Sequence, residues 1–218
     1  MTTSLRTTWR EVDRNRDRGL AWTLAGVVVA WFLIVLAAAA REAFLTDAAQ
    51  PPLALLAAIA GPLVLFGLLY RLSARFRAFA LGIDLRLLTA MQGWRVIGIM
   101  FLALYAFGLL PGLFAWPAGL GDAAVGLAAP FVLRAMTAGA PNWRRQVLWL
   151  NVAGLLDFAG AIGTGVLTSN SSLGLFASDA PGASMGLLPL SLVPTFAVPL
   201  WIIMHVISLL QLRRAGAG

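Results

Sequence analysis

The chain has 218 residues, 60% of them hydrophobic and 11% charged, with a formal net charge of +7. Soluble domains carry roughly 45–50% apolar and about 25% charged residues, so this composition excludes that class and indicates a membrane protein. The absence of Cys and Lys and the single His exclude disulfides, thiol redox centres, thiolate zinc sites, Schiff-base lysines and a multi-imidazole metal site within one chain.

About 20 apolar residues cross the roughly 30 Å of hydrocarbon in a bilayer, and the sequence offers six such runs. Segment 1–19 is polar and carries Arg6, Arg10, Arg14, Arg16 and Arg18, and the first predicted span, 20–40, follows without a charge. A cleaved signal peptide is the alternative for that span, since Ala37–Ala40 offers small residues. Its apolar run is nevertheless longer than such leaders carry, and Glu11, Asp13 and Asp17 lie in front of it. The second predicted span is 51–70.

Between the second and third spans, Leu72, Phe76, Phe79, Ala80, Ile83, Leu87 and Met91 recur every three or four residues, with Arg75, Arg77, Asp84 and Arg86 off that stripe. Segment 72–91 therefore reads as an amphipathic helix in the headgroup region, or as an extension of a neighbouring span. The third span is expected over 96–110 and the fourth over 117–136. The fifth covers 147–167 and the sixth 187–212, separated by a Ser-, Gly- and Asn-rich loop with Asp179 before Pro181-Gly182, which reads as turn-rich cover over an outer vestibule. Segment 213–218 is a short tail. A faint echo between Arg86–Arg95 and Arg134–Arg144 is explained equally by a helix-pair repeat and by shared loop composition.

All 16 basic residues are Arg, and they sort by position. Arg6 to Arg18, Arg71 to Arg95, Arg134 to Arg145, and Arg213 with Arg214 fall on one side of the six spans, leaving Arg41 alone on the other. Basic residues flanking spans stay cytoplasmic. The expected fold is thus all-α and polytopic, six transmembrane helices over 20–212 with both termini cytoplasmic, in a bacterial inner membrane. The positive charge then marks orientation and contact with anionic headgroups, and gives no reason to expect nucleic acid. Trp22, Trp94, Trp143 and Trp149 are expected at the inner interface and Trp116 at the outer one.

Ionisable residues inside spans carry the functional information, because each costs roughly 3 kcal/mol near the bilayer centre on insertion scales and must be buried, paired or hydrated. Asp157 lies mid-way along the fifth span on a face with Ala153, Gly154, Gly160, Ala161 and Thr164. It is read either as a proton- or cation-binding carboxyl or as one locked in hydrogen bonds to Asn151, Ser191, Thr195 or Tyr105. Asp122, within Pro117–Pro130, either caps the fourth helix or lines an unwound outer mouth. His205, behind Pro189, Pro194 and Pro199, is a packing residue or a proton carrier. Their positions predict outer, central and inner depths separated by roughly 7–10 Å.

No nucleophile elbow, phosphate loop, dinucleotide fingerprint or helical zinc motif occurs. The expectation is a small transporter or transport-accessory protein. Asp157, Asp122 and His205 are its candidate proton or cation binders, and Asn151, Thr164, Ser191, Thr195 and Tyr105 its polar lining. No metal or cofactor is expected; partners are the bilayer and a second copy or another membrane subunit. The alternatives are an assembly subunit with packing-only polar residues, and an intramembrane enzyme using Asp157 and His205.

Overall fold

A computed structural model describes residues 2–177 and 185–215, except the side chains of 2–18 and 215. The basic and acidic side chains between Arg6 and Arg18, the turn expected at Asp179-Pro181-Gly182, and residues 216–218 lie outside the described residues. All regular structure among the described residues is helical: α1 Thr2–Ala39, α2 Leu53–Leu72, α3 Ala74–Gly82, α4 Leu85–Met91, a 3-10 stretch Gln92–Ile99, α5 Met100–Ala106, α6 Gly112–Thr137, α7 Trp143–Leu167, a π stretch Val193–Ala197 and α8 Val198–Ala215. Six segments are long and apolar enough to cross a membrane: Gly19–Ala39, Leu53–Leu72, Leu85–Ala106, Gly112–Thr137, Trp143–Leu167 and Val193–Arg214.

The boundaries have local causes. Ser73 Oγ accepts from the Phe76 amide and caps α3, and Asp84 Oδ1 accepts from the Arg86 amide, 2.8 Å, and caps α4. The amphipathic stripe of 72–91 is therefore cut at Ile83-Asp84. Its first part is the separate short helix α3, and its second part opens the third candidate span, which starts at Leu85 rather than at the expected Val96. At the C-termini of α5 and α6, Gly108 and Gly139 take positive φ. Paired bonds from Leu109 to Leu104 and from Ala140 to Ala135 close both ends with the six-to-one bond of a Schellman motif.

Helix α6 is the axis of the bundle. Ala115, Ala118, Gly119, Val125, Gly126, Ala129, Val132 and Met136 are buried along it, small residues that let other helices come close. The third candidate span packs along one side of α6 and α7 along another, with α8 against α7. Helices α1 and α2 are peripheral. α1 is held by Val35, Ala39 and Phe44, packed with Leu55, Leu192 and Phe196.

Two apolar clusters mark the ends. Val125, Ala129, Val132, Met136, Val147 and Leu150 pack with Leu85, Trp143 and Leu212 at the Arg-rich end. Phe101, Leu110, Phe114, Ala115 and Ala118 pack with Met185 and Val193 toward the other. At that second, Arg-poor end the described part of the long loop is turn-rich. Ser169 and Ser171 hydroxyls bond at 2.8 Å, and the Ser172 amide reaches the Gln50 carbonyl.

Two helix backbones approach closely at Gly126, where an added Cβ would fall on the backbone of Val96, which cannot yield. Gly163 on α7 faces open space. Gly126→Ala is therefore expected to lose about 1–3 kcal/mol, whereas Gly163→Ala stays within about 1 kcal/mol of the parent. Unfolding midpoints of the two variants in detergent check this contrast; equal midpoints would contradict the packing.

Candidate functional site

The third candidate span changes helix type in its middle. From Gln92 to Ile99 it is wound with three residues per turn, so residues three apart lie one above another. Burial follows that period: Gln92, Arg95 and Phe101 are 1%, 4% and 7% exposed, and Gly98 shares their face. Trp94, next to Arg95, is 62% exposed. Arg95, expected as a flanking arginine, and Trp94, expected at an interface, both lie near the middle of Leu85–Ala106. The flanking count is thus fourteen arginines, with Arg41 opposite and Arg95 inside.

Arg95 gathers the polar residues of three other helices. Its Nε donates to Asp122 Oδ1 of α6 at 2.7 Å, and its Nη2 to Asp157 Oδ2 of α7. Its Nη1 faces His205 Nε2 of α8 at 3.1 Å and the Gly154 carbonyl at 3.4 Å. Below the guanidinium, the Phe158 ring centroid is 3.9 Å from Cζ. Leaving a guanidinium in a dry interior costs several kcal/mol unless it is paired and hydrogen-bonded, and here two carboxylates and an aromatic face supply that compensation.

The bonding also fixes the state of His205. A guanidinium can only donate, so Nε2 must accept and the ring proton sits on Nδ1. Nδ1–H then donates to Asn151 Oδ1 at 2.8 Å, and Asn151 Nδ2 donates to the Val147 carbonyl at 2.7 Å. The imidazole is neutral, fully buried and engaged on both nitrogens. It orients Arg95, and in this arrangement it has no free nitrogen with which to carry a proton.

Glycines make the convergence sterically feasible. A Cβ at Gly121 would overlap the Asp157 carboxylate, one at Gly98 the Asp122 carboxylate, and one at Gly154 the His205 ring and Arg95 Nη1. Each polar side chain lies in a gap that a neighbouring helix leaves open. The separate depths expected for Asp122, Asp157 and His205 are replaced by one cluster around a single guanidinium. Asp122 is no helix cap, because α6 starts ten residues earlier at Gly112 and runs unbroken through Pro117 and Pro130; the unwound mouth is absent for the same reason.

Among the expected lining residues, Asn151 belongs to the cluster and the others lie elsewhere. Thr164 donates to the Gly160 carbonyl within its own helix at 2.8 Å. Tyr105 is 42% exposed, with its ring against Trp116. Ser191 and Thr195 are buried in the turn and π stretch ahead of α8, Thr195 donating to the Ser191 carbonyl and Ser191 Oγ having no partner among the described residues. The sequence reading missed Arg95 because any Arg beside a span was read as a flank. The signal that finds it is charge pairing: two buried carboxylates need a cation, and among the arginines Arg95 stands nearest the interior of a span.

Two cavities reach the cluster. One of about 100 Å³ runs from Thr46, Ser169 and Ser171 at the Arg-poor end, between Phe101 and Phe114, down to Asp122 and Phe158. The other, about 240 Å³, lies between the third candidate span and α8, with Trp94 and Trp201 among its walls, and meets the same Asp122 and Phe158 from the side. Asp122 faces both, its side chain 15% exposed against 10% for Asp157. Toward the Arg-rich end Val132, Met136, Val147 and Leu150 pack together, and a cavity of about 510 Å³ between α6 and α7, lined by Val132, Leu150 and Arg145, does not reach Arg95, Asp122, Asp157 or His205.

Removing the cation alone leaves two buried carboxylates facing each other. Arg95→Leu is expected to destabilise the fold by about 3–5 kcal/mol, and adding Asp122→Asn and Asp157→Asn to Arg95→Leu to restore much of that loss. Unfolding midpoints of the single and triple variants measure it; a triple variant no more stable than the single one would contradict the pairing.

The family of domains of unknown function DUF8737 matches residues 51–213, a range that contains Arg95, Asp122, Asn151, Asp157 and His205 and leaves out α1. No curated protein and no solved structure matches the chain. With the match covering most of its length, the chain belongs to the DUF8737 family.

Proposed function

We propose that the protein is a multi-pass protein of a bacterial inner membrane with both termini cytoplasmic, and that it serves transport, as a small transporter or an accessory of one. Its buried site takes up and releases one positive charge, a proton or a monovalent cation. The supporting observation is the pair of carboxylates on one guanidinium, of which Asp122 lines the floor of a cavity. With His205 neutral, one cation and two ionised Asp leave the cluster one negative charge in excess, and in a low-dielectric interior such an excess is costly until a single positive charge joins it. Access supports the same reading: among the described residues a cavity leads from the Arg-poor end to Asp122, and the cavity at the Arg-rich end does not reach the cluster. The distribution of arginines supports the orientation, with fourteen at the proposed cytoplasmic side.

A second reading, an assembly subunit whose polar residues only fix packing, draws on the near-complete bonding of Arg95. The enzymatic alternative has little geometric support, because both nitrogens of His205 are occupied by Arg95 and Asn151.

Infrared titration of the lipid-reconstituted protein separates the two. The proposed site shows one reversibly protonating carboxyl, lost in Asp157→Asn while that variant keeps its helicity and elution volume. No titrating carboxyl, or the same one in Asp157→Asn, would support a purely structural cluster. In vesicles with an internal pH dye, a transporter collapses an imposed gradient at least tenfold faster than Asp157→Asn does.

A further inference from the structure

The cavity at the Arg-poor end has a wall chemistry that narrows what it holds. Its floor carries one carboxylate, Asp122, whose Oδ1 is taken by Arg95 Nε while Oδ2, packed beside Gly98, has no hydrogen-bond partner among the described residues. Below a polar rim of Thr46, Ser169, Asn170 and Ser171 its sides are hydrocarbon and aromatic, with Phe101 and Phe114 edge to face at 5.4 Å and Phe158 at the base, so the oxygens of the rim lie apart from the carboxylate of the floor. Among the described residues no three Asp, Glu or His side chains converge as metal ligands do. Alkali and divalent cations need a shell of several oxygens, which these walls do not supply. A cation that brings its own apolar surface needs one carboxylate for its charge and ring faces for its body.

We propose that this cavity binds a small organic ammonium ion, its charged nitrogen on the Asp122 carboxylate and its apolar part between Phe101, Phe114 and Phe158. Size supports a compact ligand. An apolar cavity of roughly 150 Å³ accommodates a benzene ring, so about 100 Å³ takes a short branched chain whole, or one ring with part of it in the rim near Thr46 and Ser169. Charge fixes the stoichiometry at one, because the Arg95–Asp122–Asp157 cluster has one negative charge in excess. Ammonium ion and proton then exclude each other, and this is the class of cargo that a site exchanging one positive charge would carry. The inference rests on the one-charge reading of the cluster and adds to it the identity of the cation.

Calorimetry on the purified full chain in detergent tests it, with benzylammonium as the probe and benzyl alcohol as its neutral isostere. Saturable binding of benzylammonium is expected, with benzyl alcohol at least tenfold weaker and Asp122→Asn reducing benzylammonium affinity at least tenfold. Because Asp122→Asn also disturbs the Arg95 pairing, Gly165→Val serves as a second variant. Gly165 lines the cavity, and a Cβ there meets only the Phe114 ring at 3.6 Å, so a branched side chain fills the space without touching the charges and is expected to cut affinity at least tenfold. No saturable benzylammonium binding, equal binding of benzyl alcohol, or full affinity in Gly165→Val each overturns the proposal. Failure here with a titrating carboxyl still lost in Asp157→Asn removes the ammonium ligand and leaves the proton site. Benzylammonium binding that depends on the cavity, with no titrating carboxyl, removes the proton site instead.

Discussion

One guanidinium organises this bundle. Arg95 reaches Asp122, Asp157, the Gly154 carbonyl and His205 at once, so the relative depth and rotation of the third candidate span, α6, α7 and α8 are all referred to one planar group. A planar fork with five donors suits that task better than a lysine, whose compact ammonium fixes no plane. Because Arg95 sits where water is scarce, its bonds have little competition, and losing any acceptor leaves a buried donor or charge unpaired. Packing by small residues along α6 brings the helices close; the guanidinium sets their register.

The rest of the local structure follows from placing that group. An α-helix would put Gln92 and Phe101 on opposite faces, with Arg95 off both, whereas the 3-10 winding of Gln92–Ile99 keeps all three on one buried face. Trp201 Nε1 reaches the Met91 carbonyl, 3.3 Å, at the junction where α4 gives way to that winding. Gly98, Gly121 and Gly154 then leave room for carboxylates and imidazole at the positions where Arg95 needs acceptors. The relay from Arg95 through His205 and Asn151 to the Val147 carbonyl shows the same logic one layer further out, His205 and Asn151 each accepting from the group before and donating to the group after.

Much of the fold is legible in the amino-acid order. The six apolar runs reappear as six helices of sufficient length, and Asp122, Asp157 and His205 stand out because ionisable groups are rare in such runs. Two features were hidden for physical reasons. A span boundary drawn at the nearest Arg assumes that every Arg prefers water, and Arg95 breaks that rule because its partners come from 27 and 62 residues away. The depth estimate for Asp122, Asp157 and His205 assumed full α-helical rise from each predicted end, but α6 begins at Gly112 instead of near Pro117 and α8 is preceded by a π stretch. Errors of a few residues at the ends therefore turned one cluster into three separated depths. Sequence rules fail most often where a site departs from them, and both departures converge on the same guanidinium.

The asymmetry of the surroundings gives the cluster its direction. Toward the Arg-rich end Val132, Met136, Val147 and Leu150 interlock, while toward the Arg-poor end the helices diverge around a cavity roofed by Ser169 and Ser171. Asp122 lines that cavity and Asp157 does not, so the two carboxylates are unequal: the first meets whatever enters, the second holds Arg95 from the deeper side. Through Arg95, Asp122 Oδ1 ties α6 to the third candidate span at Nε and Asp157 Oδ2 ties α7 to it at Nη2, so both helices are anchored on the 3-10 stretch, whose hydrogen-bond geometry is poorer than that of an α-helix.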